Sequence, residues 1–299
     1  MFSLNHTLSF PWEVEWSVTW ACNAHCSFCS TGNYNRNLHS QDINIISTRI
    51  IEAQPLAITL SGGEPLVHPE IDSIINVLVS SGIPLNLTTN GLLLHRVKPE
   101  NIAKLNWIRI SLHSCFRDTS KKIMGERYNL EKVLNNIKRI GLITKKFSIF
   151  MILTKENCNV NELNELLKIS KSLGAANIEI GIIKLLGWAN TSMLEPNLVI
   201  NEALEHIGKY ANALELNVVL PNINTKKHYC VARAKNVAIF PDGSVRSCSF
   251  DNDIAWGNIS DEPLIDIWSR RPFLDEYCDR CSPGGYQTDS KRIISIKNI

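Results

Sequence analysis

The sequence predicts an α/β fold: a partial, TIM-like (β/α)6 barrel followed by a small C-terminal domain made of a β-hairpin and a helix. Three observations predict it. Short β-rich runs alternate with helical patterns through the first two thirds of the chain, which implies parallel strands joined by crossovers. About six such units fit before residue 185, too few to close an eight-fold barrel. The pattern then changes near residue 216. A chain of 299 residues suits two domains at about 150 residues each. Residues 1–215 are assigned to the barrel and 216–299 to the smaller unit.

The candidate strands, in order, are Glu13–Trp20, Leu56–Leu60, Leu85–Thr88, Trp107–Leu112, Phe147–Leu153 and Asn177–Ile182. Helical spacing (i, i+3, i+4, i+7) follows Pro69 at Ile71, Ile74, Ile75 and Leu78, and recurs at Leu130, Val133, Leu134 and Ile137. Leu163, Leu166 and Leu167 carry part of it, and a further helix is expected near Asn201–Leu214. Gly82, Gly141 and Gly174 each follow a helical stretch and are expected to end it. Beyond 216, Val237–Phe240 and Ser244–Ser247 flank Pro241-Asp242-Gly243, a hairpin signature. Ser260 or Asp261 is expected to cap a short helix with Pro263 in its first turn and Leu264, Ile267 and Trp268 on its apolar face.

Composition excludes several classes. The 31 basic and 29 acidic residues leave a net charge of +2, and basic pairs such as Lys121-Lys122 are scattered, so nucleic acid is not an expected partner. No apolar run approaches the ~18 residues of a membrane span, and the N-terminus lacks a signal-peptide pattern, so a cytoplasmic protein without membrane attachment is expected. Nine cysteines, an odd number, in a reducing compartment point to metal or redox chemistry rather than disulfides.

Just past the first strand stands Cys22-x3-Cys26-x2-Cys29. Three thiolates on one short loop can hold three corners of a four-iron, four-sulfur (4Fe–4S) cube and leave one iron open to a chelating molecule. A structural zinc ion completed by His25 or His39 is the alternative. With the aromatic Phe28 before its last cysteine, the segment resembles the signature of the radical S-adenosylmethionine (SAM) superfamily. The resemblance implies that the open iron is chelated by SAM and that an electron from the cluster cleaves SAM to methionine and a 5′-deoxyadenosyl radical. Phe28 then matches an aromatic residue packed near the adenine, or else simply shields the cluster.

Companion motifs extend the resemblance over residues 14–190 or so. Ser61-Gly62-Gly63-Glu64-Pro65 matches the family's Gly-Gly-Glu-Pro motif, implying that the backbone at Gly62 and Gly63 and the Glu64 carboxylate hold SAM's amino group. Thr88-Thr89-Asn90-Gly91 is similar to a stretch near the SAM ribose, making Asn90 a candidate contact, although Asn-Gly is also a common turn. Ser111, ending the fourth strand, stands where the family places a serine that reaches SAM. His113 occupies a position where relatives often carry Asp and receives no role. Leu186-Gly187-Trp188-Ala189 is similar to a Gly-Arg-Ala stretch with Trp in place of Arg, so Trp188 is expected to pack or to wall a pocket.

Cys230, Cys248, Cys278 and Cys281 form a second group, with Gly243-x4-Cys248 on the hairpin and Cys278-x2-Cys281 near the C-terminus. Four thiols suit a fully ligated metal, and zinc competes on spacing alone. The pattern resembles the twitch domain, a short relative of the SPASM domain, and most resembles 2-deoxy-scyllo-inosamine dehydrogenases. This implies one auxiliary 4Fe–4S cluster, hence two clusters in all. Cys115 and Cys158 are left over: either is a small apolar filler or, Cys115 above all, a hydrogen-atom donor to a substrate radical.

The implied activity is hydrogen abstraction from an unactivated C–H bond of a natural-product intermediate, either a peptide or a small aminocyclitol or sugar. An oxidation with the auxiliary cluster as electron acceptor is expected; redox-neutral epimerisation through a cysteine donor is the alternative. A non-catalytic zinc or iron–sulfur interaction protein is the reading from a different class. A flavodoxin or ferredoxin is the implied electron donor. With the first motif starting at Cys22, no fused leader-peptide-binding domain is expected ahead of it.

Overall fold

The computed structural model describes residues 8–221, 228–229, 235–250, 255–272 and 277–278, the two dipeptides by backbone alone. The chain runs β1 (Glu13–Thr19), α1 (Ile43–Glu52), β2 (Ala57–Gly62), α2 (Ile71–Ser80), β3 (Leu85–Thr89), α3 (Pro99–Lys104) and β4 (Trp107–Ser111). It continues through α4 (Arg117–Met124), α5 (Leu130–Ile143), β5 (Phe147–Leu153), α6 (Val160–Ser172), β6 (Asn177–Ile182), α7 (Asn197–Ala213) and β7 (Asn217–Val219). Then come β8 (His228–Tyr229), β9 (Asn236–Ile239), β10 (Ser244–Arg246), β11 (Gly257–Asn258), α8 (Leu264–Ser269) and β12 (Tyr277–Cys278).

Strands β1 to β7 lie side by side in chain order, every neighbouring pair parallel. This is the unclosed (β/α)6 arrangement expected, and it aims every strand's carboxyl end at one rim, where function collects. On the other flank of β1, β9 pairs parallel with it and β10 and β11 follow antiparallel. One ten-stranded sheet therefore crosses residue 216 in both directions, with β7 at one edge and the hairpin at the other. Strands β8 and β12 form a separate ladder that pairs Cys278 with His228.

Period-two alternation divides the strands. Val14, Trp16 and Val18 of β1, Ile58 and Leu60 of β2, and Ile108 and Ile110 of β4 are buried against the helices. The helices answer with the stripes the sequence predicts: Ile71, Ile74, Ile75 and Leu78 of α2, and Leu163, Leu166 and Leu167 of α6. Each such side chain stabilises the fold by about 1.5–3 kcal/mol relative to exposure. The opposite strand face is polar. Thr59 donates to Glu13 (2.6 Å), Ser61 to Glu15 (2.7 Å) and Ser148 to Glu179 (2.7 Å), while Arg109 pairs with Glu179 at 3.2 Å.

Three expectations change. Gly82 and Gly174 end helices with φ of +79° and +78°, but Gly141 lies inside α5. Its lack of a side chain serves close packing there: a Cβ would sit 2.5 Å from the Leu173 carbonyl at the end of α6. Neither Ser260 nor Asp261 caps α8; Pro263 holds the cap position without a side-chain bond, and the Ser260 and Asp261 amides turn back to Asn258. Helices α1, α3 and α4 add to the expected elements, as does β7, a seventh parallel strand that lies just past residue 215 yet pairs with β6. The Pro241-Asp242-Gly243 turn forms as expected, with Gly243 at φ +78° and Asp242 accepting from the Ser244 amide at 3.0 Å. The hairpin region is tied to the barrel on either side of the start of α8: Arg49 of α1 donates to the Ile259 carbonyl ahead of that helix, and Trp268 within it donates to the Leu8 carbonyl at 2.9 Å. Among the described residues no helix is long and apolar enough to cross a membrane.

Candidate functional site

The loop that carries Cys22, Cys26 and Cys29 leaves the carboxyl end of β1 and is held from three sides. The amides of His25 and Ser27 donate to the carbonyls of Met124 and Ile123 (both 2.9 Å), so the loop satisfies the otherwise unpaired C-terminal carbonyls of α4. The Arg36 guanidinium donates back to the carbonyls of Ala24 (2.8 Å) and Cys22 (3.3 Å). Trp188 donates its amide to the Cys29 carbonyl at 2.9 Å, and its ring lies 4.2 Å from His25 and 5.3 Å from the Arg36 guanidinium. Trp188 is thus a packing residue, as its sequence context indicates. Gly187 turns at φ +62°, and a Cβ there would lie 2.2 Å from that same Cys29 carbonyl, so the position admits only glycine.

The three thiols are half-buried and unbridged. Cys22 lies within reach of the Ala24 amide (3.4 Å) and Asn90 Nδ2 (3.8 Å), Cys26 of Met124 Sδ (3.5 Å) and Cys29 of the Thr31 hydroxyl (3.4 Å). Burial, with the nearby Glu64, pushes Cys22 up to about 11, and burial followed by Cys22 and Cys29 pushes Cys26 up as well. The thiols therefore share one neighbourhood. Yet among the described residues no three His, Cys, Asp or Glu side chains gather as they would around a single metal ion. His39 is occupied by the Thr19 hydroxyl at 3.0 Å, and His25 faces Arg36 at 3.3 Å. With both histidines engaged elsewhere, three thiols on one loop suit three corners of a 4Fe–4S cube better than a four-coordinate zinc ion.

Behind the loop, β2 ends in the glycine pair. Gly62 has φ +124°, and a Cβ on Gly63 would sit 2.4 Å from the Ala21 carbonyl. The amides of Gly63 and Glu64 donate to the carbonyls of Thr19 (2.7 Å) and Ala21 (2.8 Å), so this motif braces the entry to the cysteine loop. Glu64 is fully buried. Its Oε1 accepts from the Thr89 hydroxyl (2.7 Å) and Leu66 amide (3.1 Å), and its Oε2 from the Asn90 amide (2.6 Å). Burial outweighs these three bonds and raises its pKa to about 7. Asn90 passes the connection on, donating Nδ2 to Asn23 Oδ1 at 2.7 Å inside the cysteine loop. Asn136 of α5 holds the same turn by donating to the Gly91 carbonyl at 2.7 Å.

Phe28 packs edge-on against His113, with centroids 5.1 Å apart. Burial, aided by Arg109, lowers His113 to about 3; its Nδ1 accepts from the Ile152 amide at 3.1 Å, so the neutral ring carries its proton on Nε2. Ser111 lies half-buried at the end of β4, in register with Phe150. Cys115 follows on the same rim, half-buried, its thiol kept protonated by burial and by Glu165 and Glu162. Cys158 lies beyond β5, pushed up to about 12 mainly by burial.

Cys248 lies half-buried after β10. Cys278 is described by backbone only, and Cys230 and Cys281 lie outside the described residues. The contributions of Asn23, Arg36, Met124 and Asn136 escaped sequence reasoning, since each acts through partners distant in sequence.

Two family models match the chain: the radical SAM superfamily at residues 16–169 and an iron-sulfur cluster-binding domain, SPASM, at residues 230–282. Among curated relatives, a probable GTP 3',8-cyclase of Saccharolobus solfataricus is 28% identical over 73% of this chain and 68% of its own length. A PqqA peptide cyclase of Methylobacterium nodulans is 24% identical over 93% of this chain and 78% of its own. Among solved structures, Streptococcus suis SuiB bound to precursor peptide SuiA superposes with a TM-score of 0.76 at 19% identity over 89% of this chain. The chain covers 66% of SuiB, just under two thirds of its length. The anSMEcpe enzyme with bound AdoMet gives a TM-score of 0.66 at 13% identity, over 86% of this chain and 80% of its own. These structural likenesses establish the partial TIM-barrel fold. Because the first family model spans more than half of the 299 residues, and the second follows it, the chain belongs to the radical SAM superfamily, carries a SPASM region and uses 4Fe–4S clusters with S-adenosylmethionine.

Proposed function

We propose that this chain reductively cleaves SAM and abstracts hydrogen from an unactivated C–H bond of a peptide, ending in a net two-electron oxidation, either a dehydrogenation or a cross-link. The observation that carries this reading is the cysteine loop itself: three half-buried, unbridged thiols on the functional rim of the barrel, clamped by α4, Arg36 and Trp188. When bound, the first cluster with SAM supplies an electron and a 5′-deoxyadenosyl radical, and a second, fully ligated cluster supplies an electron acceptor.

The chain's residues divide the remaining work. Cys22, Cys26 and Cys29 supply three thiolates to the first cluster; Cys230, Cys248, Cys278 and Cys281 supply four to the second. Phe28, Asn90, Ser111 and the backbone at Gly62 and Gly63 take SAM. Glu64 fixes that ground from within, and Oε2, which accepts one bond, keeps a lone pair for an ammonium group. Residues 1–215 carry the radical chemistry and residues 216–299 the auxiliary cluster. The SuiB and PqqA cyclase relatives, named for peptide substrates, support a peptide rather than a small cyclitol. The polar inner face of the strands, with Glu15, Ser61, Arg109 and Glu179, supports a substrate rich in hydrogen-bonding groups. A flavodoxin or ferredoxin is the proposed donor.

Anaerobic reconstitution tests the reading. Iron near eight atoms per chain, on the basis of about four per cube, and formation of 5′-deoxyadenosine after reduction are expected. Two bound zinc ions and intact SAM would defeat it. A second reading rests on the position of Cys115, a half-buried free thiol four residues past the end of β4, which suits a hydrogen-atom donor in a redox-neutral epimerisation. Turnover of peptide in deuterated water separates the two: loss of two hydrogens supports oxidation, whereas uptake of one deuterium, abolished in Cys115→Ala, supports epimerisation.

A further inference from the structure

Tyr128 lies in the tight turn between α4 and α5, where its amide donates to the Gly125 carbonyl at 2.9 Å. Only 3% of it is exposed, and among the described residues its phenolic oxygen has no hydrogen-bond partner. A buried tyrosine hydroxyl normally finds a partner, because leaving one unmade costs about 1–3 kcal/mol. The fold thus retains a polar group whose acceptor is absent from the chain as described.

The surroundings indicate the missing acceptor. The turn abuts the cysteine loop: Met124 takes the His25 amide, Gly125 leaves no room for a Cβ because His25 Cβ would be 2.9 Å away, and Met124 Sδ touches Cys26 Sγ at 3.5 Å. Burial, followed by Cys26, Cys115 and Glu64, keeps the phenol protonated, so its O–H is available to donate. Glu64 accepts from Thr89, Leu66 and Asn90 and, under the proposed function, gives its remaining lone pair to the ammonium group of SAM. A neutral thiol is a weak acceptor, but an iron-bound thiolate is an anionic one.

We propose that Tyr128 is a positioning residue for the first cluster, donating its hydroxyl proton to the sulfur of Cys26 once that sulfur is bound to iron. The proposal rests on the assignment of Cys22, Cys26 and Cys29 as ligands. A hydrogen bond to a cluster sulfur favours the more negative, reduced state, so Tyr128 raises the cluster's potential and eases its reduction.

The test uses anaerobically reconstituted wild type and Tyr128→Phe, with the reduced first cluster identified by the change SAM causes in its paramagnetic resonance spectrum. The midpoint of that signal in a potentiometric titration is expected to move to more negative potential in Tyr128→Phe. A strongly coupled exchangeable proton, seen in wild type before transfer to deuterated water, is expected to vanish. Fluorotyrosine incorporated at position 128, a stronger donor in the same shape, is expected to shift the midpoint the other way and covers the case in which the phenylalanine variant does not fold. An unchanged midpoint in both loaded variants overturns the proposal, as does weakened SAM binding at an unchanged midpoint, which would give the hydroxyl to SAM. A wild type that takes up no iron at Cys22, Cys26 and Cys29 overturns the underlying ligand assignment as well.

Discussion

Removing the Glu64 carboxylate tests whether the Gly-Gly-Glu-Pro motif builds the site as well as lining it. The side chain is fully buried and accepts from Leu66, Thr89 and Asn90, three donors on two adjacent strand ends. Glu64→Ala leaves all three without an acceptor; at about 1–3 kcal/mol for each buried unsatisfied group, with partial relief from entering water, the loss is about 4 kcal/mol. Glu64→Gln behaves differently because the two oxygens are unequally loaded. Its amide oxygen can take the place of Oε1 and keep Thr89 and Leu66, while its amide nitrogen then meets the Asn90 N–H, another donor. The cost falls to one lost bond and one donor–donor contact, about 1–2 kcal/mol. Urea unfolding of the metal-free proteins measures both without interference from cofactor binding. The expected order is wild type, then Gln, then Ala. Two variants of equal stability, or an alanine variant within about 0.5 kcal/mol of wild type, would refute the pinning role.

Other outcomes follow from the same geometry. Gly63→Ala must displace the Ala21 carbonyl from 2.4 Å, and Gly187→Ala must displace the Cys29 carbonyl from 2.2 Å at a positive φ. Both are expected to reduce iron loading at the first cluster, read by iron analysis; full loading would show that the loop tolerates repositioning. Single Cys22→Ala, Cys26→Ala and Cys29→Ala variants are expected to keep only the second cluster's iron and to form no 5′-deoxyadenosine, a result that retained SAM cleavage would contradict. His113 titrates near 3 in the fold against 6.5 in the unfolded chain, so on acidification the unfolded chain takes up a proton first and stability falls between pH 6.5 and 3. From pH 7 to pH 5 this one group accounts for a loss of about 2 kcal/mol. His113→Gln is expected to flatten that part of the pH–stability curve, and an equally steep curve would place the acid sensitivity elsewhere.

The parallel strands were legible because their burial pattern is written in adjacent residues: Phe147–Leu153 alternates and runs apolar as a strand packed on helices must. The cysteine spacing was legible for the same reason, since its chemistry needs only residues 22 to 29. Much of the rest acts over long separations, although α1, with Ile43, Ile46 and Ile50 at helical spacing, is written locally. Helix α4 buries only Ser120, Ile123 and Met124 and shows no apolar stripe, yet its last carbonyls seat the cysteine loop nearly a hundred residues away. Gly141 departs from its expected role because a glycine near a helix end has two physical uses, a left-handed cap and a close approach, and only the position of Leu173 decides between them. Arg36 and Tyr128 carry no motif; a guanidinium clamping two carbonyls and a hydroxyl left without an acceptor are visible only in three dimensions.

The pairing of β9 with β1 orders events during synthesis. Glu13 to Trp16 find their neighbours on one side as soon as β2 has emerged, but on the other only when Asn236 to Ile239 arrive. Until then β1 is an open sheet edge, although the contacts that clamp the thiol loop at its end, from Met124, Arg36 and Trp188, are already made. Truncation ahead of residue 236 would therefore keep the loop's clamps while leaving a parallel strand edge unpaired beside it, a surface open to pairing with another chain.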